Sequence, residues 1–111
     1  MDEQNAQQAL MEMQKNQQQM QQIVQQKEET ESELQESKKA LEELEKGDEG
    51  QVYRQVGNIL VAKDREQLRE ELEEKVEDLE VRQKSLEKKE DQLQSKLEEA
   101  QQKMMQQQQQ G

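Results

Sequence analysis

Two long segments of this chain repeat apolar residues every seven positions, and this spacing constrains the fold more than any other feature. In the second segment, position d of the repeat reads Leu72, Leu79, Leu86, Leu93 and Ala100, and position a includes Val76, Leu97 and Met104. In the first segment, position a reads Ala6, Met13, Met20, Lys27, Leu34 and Leu41, and position d reads Ala9, Asn16, Ile23, Thr30, Ser37 and Leu44. A narrow apolar stripe of this kind is typical of coiled-coil helices.

The other positions of both segments favour long uninterrupted helices. They are mostly Glu, Gln, Lys and Arg, which lose little side-chain freedom in a helix, and neither segment contains an internal Gly or Pro. Gly47 is suited to end the first helix, and Asp64 followed by Gln67 resembles a capping box at the start of the second. We therefore predict an N-terminal coiled-coil helix over residues 1–46, a connecting element over 47–63, a C-terminal coiled-coil helix over 64–105 and a Gln-rich tail over 106–111.

The two helices are predicted to pair head-to-tail within one chain. In such a pair the residue numbers of facing positions sum to a constant, and a constant of 113 matches Leu41 with Leu72, Leu34 with Leu79, Met20 with Leu93, Met13 with Ala100 and Ala9 with Met104. The match is poorer where Gln83 and Glu90 interrupt the second row, so the outer half is expected to be held less tightly. Lys27 is expected to extend to solvent.

The composition excludes a conventional globular interior. Only 28% of the 111 residues are hydrophobic and 1% are aromatic, which leaves a disordered chain or long paired helices. The net charge of −11 disfavours nucleic acid and anionic membranes as partners. Cys and His are absent, so the chain is expected to be neither an enzyme nor a cofactor-binding protein. An acidic N-terminus and the lack of a long apolar run predict a soluble cytoplasmic protein.

The segment between the two helices is the most apolar in the chain, and it predicts a β-hairpin. Residues 51–61 carry β-branched side chains on both sides of Gly57-Asn58, a pair suited to the positive backbone dihedral angles of a tight turn. A two-residue loop would place Val52, Arg54, Val56, Ile59 and Val61 on one face, and Tyr53, Gln55, Leu60 and Ala62 on the other. Both faces would then carry apolar side chains.

An isolated hairpin with two apolar faces is marginally stable in water, so it is expected to pair with strands of other subunits in a small β-barrel or sheet. The oligomerisation residues are predicted to be Val52, Tyr53, Val56, Gly57, Ile59, Leu60 and Val61. The alternative is an irregular linker between the helices, although linkers are usually polar.

These segments resemble the beta-type subunits of prefoldin, of the archaeal type. The resemblance is carried by Val52-Tyr53-Arg54-Gln55-Val56-Gly57-Asn58-Ile59-Leu60-Val61, then by residues 70–80 and by Leu86-Glu87-Lys88-Lys89-Glu90, about the middle third of the chain. Family members of beta type have one hairpin between two helices and alpha-type members have two. The single hairpin here indicates beta type.

The resemblance implies a mainly α fold, with an antiparallel coiled coil joined by a hairpin that enters an intersubunit β-barrel. It implies a hexamer of two alpha-type and four beta-type subunits whose arms bind unfolded polypeptide at their free ends. The complex would act without ATP and pass its clients to a group II chaperonin. This chain departs from the family pattern in its glutamine-rich ends.

Apolar residues near the two helix ends are the candidate client contacts. They are Leu10, Met11, Met13, Met20, Val24, Leu93, Leu97, Met104 and Met105. Methionine is flexible and polarizable, which suits a binder of many partners. Met13, Met20, Leu93, Leu97 and Met104 could equally be coiled-coil core, whereas Leu10, Met11, Val24 and Met105 lie outside positions a and d and are favoured as contacts.

Two other functions are compatible with parts of the sequence. One is a structural coiled-coil protein that dimerises in parallel through Leu72, Leu79, Leu86 and Leu93 and has no client-binding activity, although this leaves the hairpin unexplained. The other is an acidic disordered chain that folds on a partner, which the matching heptad rows disfavour.

Overall fold

The computed structural model describes residues 3–47 and 50–110, with four elements in the order helix, strand, strand, helix. Helix α1 spans Glu3–Lys46, strand β1 spans Val52–Val56, strand β2 spans Ile59–Lys63 and helix α2 spans Arg65–Gln110. This is the predicted fold of two long helices joined by one antiparallel β-hairpin. No helix in the described ranges is both long enough and apolar enough to cross a membrane.

The inner ends of both helices have the expected local structure. At the end of α1, the Gly47 N–H donates to the Glu43 carbonyl at 3.0 Å. At the start of α2, Asp64 acts as the capping residue, because its carboxylate accepts the Gln67 N–H at 3.4 Å. Helix α2 continues through Gln110, beyond residue 105 where the predicted helix ends, since glutamine is a good helix former.

The chain divides into two compact units, each built from parts of both helices. The hairpin unit is Thr30–Gln83, and the terminal unit is Met1–Glu29 with Lys84–Gly111. In the hairpin unit, Leu34 and Leu79 are buried, and in the terminal unit, Leu86 and Leu93 are buried. These four leucines all occupy predicted a or d positions, so the heptad rows identified the core of both units.

Hydrogen bonds and ion pairs between the helices run in antiparallel order. In the hairpin unit, Gln83 pairs with Glu31, Glu80 with Lys38 at 3.8 Å, and Arg65 with the Leu44 carbonyl at 2.6 Å. Residue numbers rise along α1 as they fall along α2, which is the head-to-tail order that the sequence predicts. The leucines proposed for a parallel zipper are instead used in this internal pairing.

The hairpin has the predicted strand register. Val56 pairs with Ile59, Gln55 with Leu60, Arg54 with Val61, Tyr53 with Ala62 and Val52 with Lys63. Gly57 has a φ of 60°, but Asn58 does not have a positive φ. Only the first turn residue therefore adopts the left-handed region expected for both, which is the arrangement of a type II′ turn with glycine at its first central position.

Candidate functional site: the hairpin and the terminal helix segments

The apolar side chains of the hairpin lie almost entirely in solvent. Ile59 is 66% exposed and Leu60 is 67% exposed, although they belong to opposite faces of the two strands. Tyr53, Val56 and Val61 are also exposed, and Val52 is partly buried. Both faces of this apolar ribbon are therefore largely uncovered by the described residues of the chain.

The backbone edges of the hairpin are also unpaired within the described residues. Strands β1 and β2 form a two-stranded sheet, so each strand has a neighbour on one side only. Free strand edges beside exposed β-branched side chains are a template for pairing with further strands. The hairpin combines unpaired edges with apolar faces, and both can be satisfied by strands from other molecules.

Two arginines connect the hairpin region to the helices of the hairpin unit. The Arg54 guanidinium on β1 lies 3.2 Å from the Glu71 carboxylate on α2. The Arg65 guanidinium donates to the Leu44 carbonyl at 2.6 Å and to the Gly50 carbonyl at 3.2 Å. Arg65 thus joins the first turn of α2 to the last turn of α1 and to the connection before β1, where carbonyl groups at a helix end lack partners within the helix.

Among the described residues, the terminal unit exposes four large apolar side chains outside its core. Met11 is 68% exposed and Met105 is 63% exposed, and Leu10 and Val24 are also exposed. These are the four residues that the sequence places outside the a and d positions. The other five candidates lie toward the helix–helix core: Met13, Met20, Leu97 and Met104 are partly buried, and Leu93 is 7% exposed.

The polar interruptions of the heptad rows have partners across the helices. Lys27 donates to the Glu90 carboxylate at 3.0 Å, and both side chains are partly buried. This hydrogen bond, together with the charge of Glu90, raises the pKa of Lys27 despite some desolvation. Lys27 is therefore held by Glu90 and does not simply extend to solvent as expected.

Gln83, another polar interruption, also has a partner on the other helix: its side-chain amide donates a hydrogen bond to the Glu31 carboxylate. Hydrogen bonds donated by Gln35 and Gln83 lower the pKa of the Glu31 carboxyl group. Thr30 and Ser37 are buried nearby in sequence, and no buried side-chain nitrogen or oxygen in the described residues lacks a hydrogen-bond partner. The polar positions of the core are satisfied.

Comparison with known proteins agrees with this architecture. Residues 7–111 match the protein family described as "Prefoldin subunit". The chain belongs to the prefoldin family. No curated protein matched the sequence. The crystal structure of the prefoldin beta subunit from Thermococcus strain KS-1 is similar, with 41% sequence identity, a TM-score of 0.78, and coverage of 89% of this chain and 88% of that chain.

The single hairpin of this prefoldin subunit agrees with its similarity to a beta subunit. The sequence correctly indicated the family, its beta class and the arrangement of helices and strands. Membership of the prefoldin family also means that the chain is a subunit that assembles with other prefoldin subunits. The roles of the individual hairpin and terminal residues stay predictions.

Sequence reasoning missed Arg65 as a structural residue of this prefoldin subunit. From the sequence, only its neighbours Asp64 and Gln67 receive a structural role, as a capping box. Its position directly after the capping Asp64 is the available signal, since a basic residue in the first turn is disfavoured by the helix dipole. The signal is weak because the chain contains 16 Lys and Arg residues. The contacts with Leu44 and Gly50 distinguish it from a solvated surface charge.

Proposed function

We propose that this chain is a subunit of an ATP-independent holdase chaperone, which binds non-native proteins at its terminal helix segments and passes them to a group II chaperonin. Family membership supports the chaperone role. The observation that carries the client-binding proposal is the exposure of Leu10, Met11, Val24 and Met105 in the terminal unit. Exposed apolar residues outside the helix–helix core are available to apolar segments of unfolded chains.

The hairpin is proposed to be the assembly element. In this proposal, Val52, Tyr53, Val56, Gly57, Ile59, Leu60 and Val61 join the hairpins of alpha-type and other beta subunits in a β-barrel. A hexamer of two alpha-type and four beta-type subunits would bury the apolar faces and pair the free strand edges. The support is the exposure of both faces of the ribbon together with its unpaired edges.

The nine candidate client contacts fall into two groups. Leu10, Met11, Val24 and Met105 are proposed as the primary contacts because their side chains are exposed. Met13, Met20, Leu97 and Met104 are partly buried and would add a smaller apolar area, and the buried Leu93 would contribute mainly by supporting the side chains around it. We place this activity in the cytosol, without an enzymatic step, a cofactor, nucleic acid or a membrane.

The test is suppression of aggregation of a chemically denatured client by the assembled complex without nucleotide. Deleting residues 1–11 and 102–111 removes Leu10, Met11 and Met105, and we expect this deletion to abolish suppression. The number of subunits in the complex, determined by native mass measurement, should be unchanged because the deletion leaves the hairpin intact. If the truncated complex still holds the client as well as the full-length complex, the proposed mechanism is wrong.

A further inference from the structure

A groove on the terminal unit lies between the two helices, where residues 19–26 of α1 lie beside residues 89–93 of α2. It has a volume of about 250 Å³ and is lined on α1 by Gln19, Gln22, Ile23 and Gln26, and on α2 by Gln92 and Leu93. Lys89 also lines it. We call this the glutamine groove. Ile23, which is partly buried, and Leu93, which is buried, supply its apolar surface, and the four glutamines supply carboxamides.

The glutamines of the groove belong to a marked difference in composition between the two units. The terminal unit has 20 glutamines in 57 residues, whereas the hairpin unit has 5 in 54. Helix formation does not require this difference, because the Glu, Lys and Arg of the hairpin unit have similar helix propensity. The distinguishing property of glutamine is a neutral side chain that both donates and accepts hydrogen bonds.

We infer that the glutamine groove binds one apolar side chain of an extended, uncharged polypeptide segment, while Gln19, Gln22 and Gln26 hydrogen-bond to the backbone of that segment. This inference rests on the proposed holdase function and names the part of a client that is recognised. The backbone of an extended chain has both N–H and C=O groups, and carboxamides complement both. The volume exceeds the roughly 150 Å³ of an engineered cavity that takes up benzene, so one large apolar side chain fits.

The charges around the groove support an uncharged occupant. Among the residues that line it, Lys89 carries the single charge. An acidic or basic segment would gain little from carboxamides, whereas a neutral apolar segment loses no charge solvation on entering the groove. The polypeptide backbone is common to all clients, which agrees with a binder of many sequences.

The probe is a neutral synthetic peptide of about twelve residues. It has one central Leu among Ser and Thr, and a fluorophore at one end. Its affinity for the full-length chain in its purified oligomer is measured by fluorescence anisotropy. The triple variant Gln19→Ala, Gln22→Ala, Gln26→Ala is expected to bind about tenfold more weakly, which corresponds to the loss of a few modest hydrogen bonds. Helix content should not fall, because alanine is a stronger helix former.

The matched control is the triple variant Gln18→Ala, Gln21→Ala, Gln25→Ala. It has the same residue type, number and spacing on α1, and all three glutamines are exposed and do not line the groove. Less than a twofold change in affinity is expected. A peptide with the central Leu replaced by Ser, and one with methylated backbone nitrogens beside Leu, should both bind weakly and respond little to the groove variant.

Equal binding by the groove variant and its control would overturn the inference. A changed native mass in the groove variant alone would also overturn it, because the groove would then be occupied by another subunit. The truncated complex lacking residues 1–11 and 102–111 retains the groove and should still bind the peptide. If the truncated complex no longer suppresses aggregation but still binds the peptide, both proposals are supported. If the wild-type complex suppresses aggregation but does not bind the peptide, the groove inference is rejected and the holdase proposal stands.

Discussion

At the residue scale, the informative positions are the polar residues within the heptad rows. Lys27 and Glu90 form one pair between the helices, and Gln83 and Glu31 form another. Polar residues in a coiled-coil core generally reduce stability but favour one register, because a shifted register leaves them without partners. The interruptions are therefore specific contacts that define how α1 and α2 align within each unit.

Glu31 predicts a pH dependence of stability. Its pKa is lowered by hydrogen bonds from Gln35 and Gln83, so the ionised carboxylate stabilises the folded state. This contribution is complete above the ordinary glutamate pKa of about 4.3 and is lost as the pH falls through the lower folded-state pKa. We expect thermal unfolding of Glu31→Gln to be less sensitive than wild type to a change from pH 7 to pH 3.

The control for this measurement is Glu33→Gln, an exposed position on the same helix. Its thermal unfolding should change with pH as that of wild type does, apart from the loss of one surface charge. An identical pH response of wild type and Glu31→Gln would contradict the assigned role of the Glu31 hydrogen bonds.

The hydrogen bonds of Arg65 predict that its substitution lowers the free energy of unfolding more than substitution of a surface arginine does. Arg65→Ala removes hydrogen bonds to two carbonyl groups, at Leu44 and Gly50, so we expect a loss of about 1–3 kcal/mol in the free energy of unfolding. Urea denaturation followed by circular dichroism at one protein concentration measures this quantity.

Arg69→Ala is the control for Arg65→Ala. Arg69 forms exposed pairs with Glu66 and Glu73 within its own helix, so its substitution should lower the free energy of unfolding by less than about 0.5 kcal/mol. Equal losses in the two variants would show that the bonds of Arg65 add nothing to stability.

At the element scale, the hairpin differs from the helices because it has little protection within its own chain. Each helix buries its heptad stripe against the other, with Leu34 and Leu79 in the hairpin unit and Leu86 and Leu93 in the terminal unit. The hairpin has no corresponding layer of side chains over either face among the described residues. Its stability therefore depends on assembly far more than that of the helices does.

Leu60→Glu is expected to block assembly without unfolding the helices. The side chain is exposed in the single chain, so a charge is tolerated there, but it would be buried when the hairpin pairs with other subunits. Native mass should fall to that of a single chain, and the helical circular dichroism signal should remain. Val81→Glu is the matched control, since Val81 on α2 is 68% exposed and lies outside the hairpin. Intact assembly of Leu60→Glu would exclude the hairpin as the assembly element.

At the scale of the whole molecule, charge is distributed unevenly between the two units. The hairpin unit has 17 acidic and 9 basic residues, a net charge of −8, and the terminal unit has 10 acidic and 7 basic residues, a net charge of −3. The exposed Met11 and Met105 therefore belong to the less charged unit. Client binding there should depend on apolar contact and on neutral carboxamides more than on ion pairs.

This distribution predicts that client holding depends weakly on salt. Suppression of aggregation should change less than about twofold between roughly 50 mM and 500 mM sodium chloride, because screening affects charge interactions and leaves apolar contact largely unchanged. The measurement should include one acidic and one basic unfolded client at each salt concentration. Loss of holding of the basic client at high salt would show that acidic residues dominate binding.

Much of the fold could be predicted because its core follows strict periodicity. The buried leucines at 34, 79, 86 and 93 all lie in the predicted rows, and the hairpin register follows from the position of Gly57-Asn58. The pairing of Lys27 with Glu90 was not predicted, because facing positions were matched by one constant sum and these two side chains reach along the helices to a neighbouring turn. The dihedral angles of the turn were predicted only in part, because the pair Gly57-Asn58 is compatible with more than one turn type.

The sequence by itself determined the helix–hairpin–helix order and the antiparallel direction of the helices, because both depend on residue spacing along the chain. It also indicated the family, because the resemblance lies in consecutive residues from the hairpin into the second helix. Only the tertiary structure decided which polar residues pair within the core, and how Arg65 joins the two helix ends to the connection before the hairpin. These features depend on the reach of individual side chains across a helix pair, and a long flexible side chain has several possible partners until the two backbones are placed side by side.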